Sequence, residues 1–192
     1  MRIFGGQLKN KVLKQPKNGA IRPTTGKLRE AVFNICQGEM DGAAVLDLFA
    51  GSGAMGFEAM SRGAASVLFV DNDLSSVKAI QENIAVLGLK NSARVIAGEA
   101  VSTLSKFAKQ GQQFDWIYVD PPYGAIGPSG RPYSHEILAI IDASSLLKSD
   151  GTLFIEETAA AAPSPSDELK TLSLKSARRF GRSTLLHYTL NT

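Results

Sequence analysis

The sequence predicts an α/β protein built on a mostly parallel sheet with helices on both faces. Three observations carry this. Short apolar runs alternate five times with segments of helical periodicity, the apolar runs are nearly continuous, and the helical segments carry apolar faces. Strands buried on both faces read as unbroken hydrophobic runs, and parallel strands need crossovers long enough to hold a helix.

The elements follow in chain order. Residues 1–19 read as short extended segments around Gly5-Gly6, with Leu8, Val12 and Leu13 among lysines, closing at Pro16 and Gly19. A helix then starts at a Thr24 or Thr25 cap. Leu28, Ala31, Val32, Ile35 and Cys36 share its apolar face, and Lys27, Arg29 and Glu30 turn away. Strand and helix then alternate as 45–49 and 54–62, 67–70 and 74–87, 94–97 and 101–109, 116–119 and 137–147, and a strand at 153–156. The 74–87 helix is the clearest, with Asp73 as cap, Val77, Ile80, Ile84 and Leu87 on one face and Gly88 as stop. A small-residue linker spans 158–166, and 169–174 and 183–190 read as two last strands around Gly181.

Composition narrows the function. The 192 residues suit one globular domain, and no apolar run approaches the roughly 20 residues that cross a bilayer. Met1 to Gly6 lacks the apolar region of a secretory signal, so a cytoplasmic protein is expected, without membrane partners. The single Cys36, with His135 and His187 far apart, makes a poor metal set, and no metal is expected. Cys36, Phe69, Trp116 and Phe154 read as core. The net charge of +3 conceals a partition: residues 1–29 carry +8 with no acid, 30–168 carry −10, and 169–192 carry +5. An acidic body between basic ends is expected where the ends meet a polyanion.

Two motifs carry chemistry. Asp47-Leu48-Phe49-Ala50-Gly51-Ser52-Gly53-Ala54-Met55-Gly56 follows the first strand, and its glycines let backbone approach a ligand at a helix N-terminus. Gly51, Gly53 and Gly56 also spell the dinucleotide fingerprint, with Asp71 twenty residues past Gly51. Asp47 argues for a cationic ligand, because an acid beside a pyrophosphate is unfavourable; S-adenosylmethionine carries a sulfonium and an ammonium. Asp71 can accept both ribose hydroxyls with Asn72 beside it, and Glu99-Ala100 stands where an adenine amino group could bind, or where Glu99 could cap the next helix. The second motif is Asp120-Pro121-Pro122-Tyr123, directly after the fourth strand. Two prolines remove donors and stiffen the chain. A rigid acid, a backbone carbonyl and an aromatic face can aim the lone pair of a nucleobase amine, which ring delocalisation otherwise makes a poor nucleophile.

With Arg2-Ile3-Phe4-Gly5-Gly6, Arg22-Pro23-Thr24-Thr25, Arg29-Glu30, Phe33-Asn34 and Phe180-Gly181, these motifs make the chain resemble the bacterial 16S rRNA guanine-N2 methyltransferase family, RsmD type, over nearly its full length. The resemblance implies a class I methyltransferase fold, a Rossmann-like seven-stranded, mostly parallel sheet with an antiparallel last strand and a small basic N-terminal extension. It divides the chain into an RNA-facing 1–40 and an adenosylmethionine-binding catalytic 41–192. It implies methylation of a guanine N2 in 16S rRNA, within the small ribosomal subunit or its assembly intermediate; we expect direct transfer to a flipped base, S-adenosyl-L-homocysteine as product, and a monomer. Asp47, Ala50, Gly51, Ser52, Gly53 and Asp71 then serve the cofactor, with Asn72, Glu99 and Ala100 added from the strand-end reading. Asp120, Pro121, Pro122 and Tyr123 orient the base, and Arg2, Lys9, Lys11, Arg22, Thr24, Thr25, Lys27 and Arg29 face RNA. Two features depart from the family: Gly26 stands where an acid is usual, and 124–132 is longer, either a lid over the base or a surface insertion. The rival readings are an amino-group methyltransferase of DNA adenine-N6 or protein glutamine, an NAD-dependent oxidoreductase, and a non-catalytic RNA-binding protein.

Overall fold

A computed structural model of the chain describes residues 1–17, 26–122, 124–158 and 169–191, and of Thr158 the backbone alone. The chain divides into two compact units, Met1–Gly98 and Glu99–Thr192.

The first unit holds α1 (Gly26–Ile35), β1 (Ala44–Leu48), α2 (Ala54–Ser61), β2 (Ser66–Asp71), α3 (Leu74–Val86) and β3 (Ala93–Ala97). β1 and β3 flank β2, both in parallel. The in-register pairing of Asp47 with Phe69 and of Leu48 with Val70 brings the turn after β1 and the end of β2 to one edge. α3 begins at Asp73, whose carboxylate accepts from the Ser76 N–H at 2.9 Å, as its sequence pattern predicts. Val45, Leu46, Phe57, Phe69 and Ile80 are among the buried apolar residues of this unit.

Residues 1–13 make a tight bridged loop. Arg2 pairs with Val12, and N–H groups of Ile3 and Asn10 bond to the carbonyls of Lys11 and Ile3. The loop lies on α2. The Phe4 and Gly5 N–H groups donate to Glu58 at 2.9 and 2.8 Å, and those of Gln7 and Leu8 donate to the Ser61 carbonyl and hydroxyl at 2.7 and 2.8 Å. Gly6 has φ +71°, and a Cβ there would lie 1.7 Å from the Ser61 carbonyl oxygen, so glycine alone fits. Beyond it, Lys14 and Asn83 exchange two hydrogen bonds of 2.9 and 3.0 Å, which continues the segment onto α3.

Arg29 departs from its expected place. It is 2% exposed, because α1 has a second packed row, Arg29 and Phe33, four residues apart, which periodicity of apolar residues alone does not register. Its guanidinium lies 4.2 Å over the Phe4 ring and donates to the Arg2 carbonyl at 2.9 Å, with Nε 4.0 Å from Glu58. An arginine so placed cannot reach a phosphate outside. Gly26 also has a packing reason, since a Cβ there would sit 3.1 Å from the Phe4 ring.

The second unit holds α4 (Ala100–Lys109), β4 (Phe114–Val119), α5 (Tyr133–Asp142), β5 (Leu147–Thr158), β6 (Leu172–Phe180) and β7 (Ser183–Leu190). Its strand order is β4-β5-β7-β6, with β4 and β5 parallel and β7 antiparallel to both neighbours. The seven strands and their directions agree with the predicted mostly parallel class with an antiparallel last strand. Trp116 and Phe154 are buried here, as Phe69 and Cys36 are in the first unit.

Boundaries differ where tertiary bonds outweigh pattern. α5 starts four residues earlier than predicted, directly after Pro132, and ends at Asp142, leaving Leu147 to β5. β6 starts later and runs to Phe180, since a bulge between Leu174 and Ser176 breaks the period of two that a sequence reading follows. The stretch after Gly124 is an ordered hairpin in which Ile126 bridges Pro132 and the Gly127 N–H donates to the Arg131 carbonyl at 2.7 Å. The 158–166 linker falls almost wholly outside the described residues.

Glu58 is fully buried and holds two backbone N–H groups and Arg62, with Arg29 alongside. Removing one partner of a buried charge cluster costs about 3–5 kcal/mol. Glu58→Ala should lower the unfolding free energy by about that amount in urea titration, with loss of hydrogen-exchange protection at Phe4 and Gly5.

Candidate active site

The turn after β1 is held by two carboxylates. Asp47, 2% exposed, accepts the Gly56 N–H at 2.9 Å and so caps α2 from a distance, where the local cap residue, Gly53, has no side chain to do so. Asp71 accepts the Gly51 N–H at 2.7 Å through one oxygen and the Asp73 N–H at 2.8 Å through the other. Burial raises the Asp71 carboxyl above its ordinary value despite these two bonds and that of the Asn72 N–H. Backbone bonds from Ala50 to the Val70 carbonyl (3.1 Å) and from Gly53 to the Ala50 carbonyl (2.7 Å) complete the turn. Asp47, Ala50, Gly51, Ser52, Gly53 and Asp71 are thus brought together, and Asn72 is exposed beside them.

Three residues in this turn have left-handed backbone: Gly51 at φ +54°, Gly53 at φ +73° and Phe49 at φ +57°. A bulky residue in this region is strained, and such strain collects at ligand sites. Nothing in the sequence marks Phe49 for it. Met1 is equally unannounced: its Sδ lies 3.7 Å from the Ser52 hydroxyl and 3.1 Å from an Arg29 nitrogen, which sets the N-terminal loop against the glycine turn.

The donor set decides between the ligands that the glycines allow. Asp47 to Gly56 holds an acid and no lysine or arginine, and the buried Asp71 keeps acceptor capacity beyond that used by three amides. This suits a nucleoside bearing a sulfonium and an ammonium, and it sets an acid where a pyrophosphate would bring its own negative charge. Among the described residues no group of three or more His, Cys, Asp or Glu could hold a metal.

In the second unit Glu99 caps α4, accepting the N–H groups of Val101 and Ser102 at 2.8 and 2.7 Å, and Ala100 is buried. Tyr133 bonds to Glu99; burial, Glu99 and Glu136 all raise its hydroxyl. Asp120 stands half-buried at the C-terminal end of β4, followed by buried Pro121 and exposed Pro122. Tyr123 lies outside the described residues, as do Arg22, Thr24 and Thr25. Of the basic residues expected to face RNA, Arg2, Lys9, Lys11 and Lys27 are exposed and Arg29 is buried.

Parallel β1, β2 and β3 with a glycine turn and an acid closing β2, together with an antiparallel β7 between β5 and β6, define a class I methyltransferase fold. The chain belongs to the family described as Conserved hypothetical protein 95, which matches residues 1–189. It is 36% identical over 156 residues to YlbH of Bacillus subtilis strain 168, covering 81% of this chain and 82% of that one. It is 33% identical over 156 residues to Ribosomal RNA small subunit methyltransferase D of Escherichia coli strain K12, covering 81% and 74%. The solved structure of yhhF from Escherichia coli superposes with a TM-score of 0.83 at 30% identity, covering 100% of this chain and 98% of that one.

Gly56 packs α2 onto β2: a Cβ there would lie 2.2 Å from the Phe69 ring and 2.7 Å from Val67. Overpacking of this kind costs about 1–3 kcal/mol. Gly56→Ala should lower thermal stability correspondingly, whereas Gly88→Ala, with open space around its Cβ but φ +73°, should carry only the smaller backbone strain.

Proposed function

We propose that the chain is an S-adenosylmethionine-dependent methyltransferase that modifies the exocyclic N2 of one guanine in 16S rRNA. It acts as a cytoplasmic monomer on the small ribosomal subunit or its assembly intermediate. The observation that carries this is Asp120-Pro121-Pro122 at the C-terminal end of β4. The family, the E. coli relative's rRNA substrate and the acid-lined glycine turn support it.

Asp71 receives the ribose hydroxyls, Asp47 the amino group, and the backbone of Ala50 to Gly53 runs under the adenosine, with Asn72, Glu99 and Ala100 at the nucleoside. When bound, S-adenosylmethionine supplies a methyl group on positively charged sulfur, open to direct in-line displacement. Asp120 accepts one N–H of the guanine amine and a carbonyl of the Pro121-Pro122 segment accepts the other, which leaves the nitrogen lone pair directed at the methyl carbon. Tyr123 stacks on the base, worth about 1–3 kcal/mol. Orientation of two bound reactants supplies up to about 7–11 kcal/mol, whereas extruding a base costs a few, so positioning suffices and no strong base is required. The methylated nitrogen is acidic, and its surplus proton passes to the Asp120 carboxylate it is hydrogen-bonded to. Arg2, Lys9, Lys11 and Lys27, with Arg22, Thr24 and Thr25, meet RNA phosphates.

Asp120→Ala should abolish methyl incorporation into small-subunit rRNA while adenosylhomocysteine still binds, and nucleoside digestion of wild-type product should yield N2-methylguanosine. Full activity in that variant would overturn the assignment, and N6-methyladenosine would shift it to another amino group. Because burial raises the Asp71 carboxyl, protonation removes its charge and weakens it as an acceptor at a higher pH than for an exposed aspartate. Adenosylhomocysteine affinity, measured by calorimetry, should therefore be full above that raised value and fall as pH drops through it.

A further inference from the structure

We propose that the outward face of α5 and the loops at its two ends form a phosphate-binding groove for the RNA strand that flanks the methylated nucleotide. This rests on the rRNA reading above. A cavity of about 580 Å³ lies along α5, within the range of ordinary ligand pockets, about 300–1,000 Å³. Arg131, His135 and Lys170 line it, with Leu138 and Leu169 as apolar surface and Asp142 as the one acid among the described residues there.

Both cationic loops are fixed by buried acids of the same helix. Glu136 accepts the Ser129 N–H at 2.8 Å and its hydroxyl, and the Arg131 N–H as well, which pins the 124–132 hairpin. A Cβ on Gly127 would meet the Glu136 carboxylate at 2.7 Å, so the hairpin closes over it. Asp142 accepts the N–H groups of Lys170, Thr171 and Leu172, each at 2.8 Å, and the Thr171 hydroxyl at 3.1 Å. Burial pushes both carboxyls up, and these donors more than offset it, holding each below its ordinary value. The Asp142 and Glu136 carboxylates are thus turned onto loop donors, while Arg131 and Lys170 are exposed at the surface.

Burying a carboxylate is costly unless it is fully satisfied, and two such groups spent on surface loops fix the backbone from which two cationic side chains project. The occupant follows from location within this unit. The hairpin carrying Arg131 follows the Asp120-Pro121-Pro122 segment in the sequence and is tied to it by the bond from the Ala125 N–H to the Pro122 carbonyl at 3.0 Å. An RNA strand whose base is held at that segment must run away from it, and its phosphates meet the first cations on the way.

The test uses the full chain with Arg131→Gln/Lys170→Gln, and Arg131→Glu/Lys170→Glu as a second variant. Affinity for a 16S rRNA transcript is measured across a salt series, with adenosylhomocysteine binding and thermal midpoint as controls. The expected result is at least tenfold weaker rRNA binding at low salt and unchanged adenosylhomocysteine affinity. The log–log salt slope should also become shallower by about 1.5, at roughly 0.7–0.9 for each of two phosphates no longer neutralised. Unchanged affinity and slope in both variants overturn the groove. If Lys9→Gln/Lys11→Gln weakens rRNA binding while the groove variants do not, the groove fails and the rRNA reading stands. A wild-type chain that binds no rRNA overturns both. Loss of polyglutamate binding in the groove variants with rRNA binding intact also overturns it, in favour of a protein partner.

Discussion

A carboxylate withdrawn from water must be met by donors, and in this chain the donors are mostly backbone N–H groups of turns and loops. Asp47 holds the first turn of α2, Asp71 the glycine turn, Glu58 the N-terminal loop, Glu136 the hairpin after β4 and Asp142 the entry to β6. Each bond does two things at once: it satisfies a buried charge and fixes a helix start, a strand entry or a stretch of loop backbone. Without these acids the strands and helices of each unit would still keep their apolar burial. The loops that bear the chemistry would not hold their places.

The same device accounts for the charge partition along the sequence. Acids concentrate in the −10 body because several of them are structural ligands for backbone, shielded and hydrogen-bonded, whereas the cations of the +8 and +5 ends remain largely at the surface. Arg29 is the exception that follows the rule from the other side: buried among Phe4, Met1 and Glu58, it locks the N-terminal loop to α1 while Lys9 and Lys11 on that loop stay in solvent. A basic segment thereby acquires a backbone tied to α1 and α2, from which its exposed charges project.

Much of the architecture was legible because parallel strands and amphipathic helices impose strong, local hydrophobic periods. The α3 cap at Asp73, the core positions of Trp116 and Phe154, and the acid-and-glycine turn all lie where the pattern puts them. Failures cluster where a distant group intervenes. The bulge after Leu174 hides the full length of β6 from a pattern of period two, and the early start of α5 has no local sign, because nothing nearby shows that Glu136 and Asp142 are committed to loops on either side. Phe49 in left-handed backbone and Met1 against Ser52 left no local trace at all.

By itself the sequence determined the fold class, the identity of the strand-end acids and the segregation of charge, since each depends on residue type and spacing within a turn or two of chain. The tertiary structure alone decided which of those acids hold backbone, which basic residue is turned inward, and which surface loops stand at fixed positions. Those outcomes depend on hydrogen bonds between residues more than 50 apart in the N-terminal loop, and nearly 30 apart around Asp142. Such pairings carry no periodic signature, and only folding brings their partners within reach.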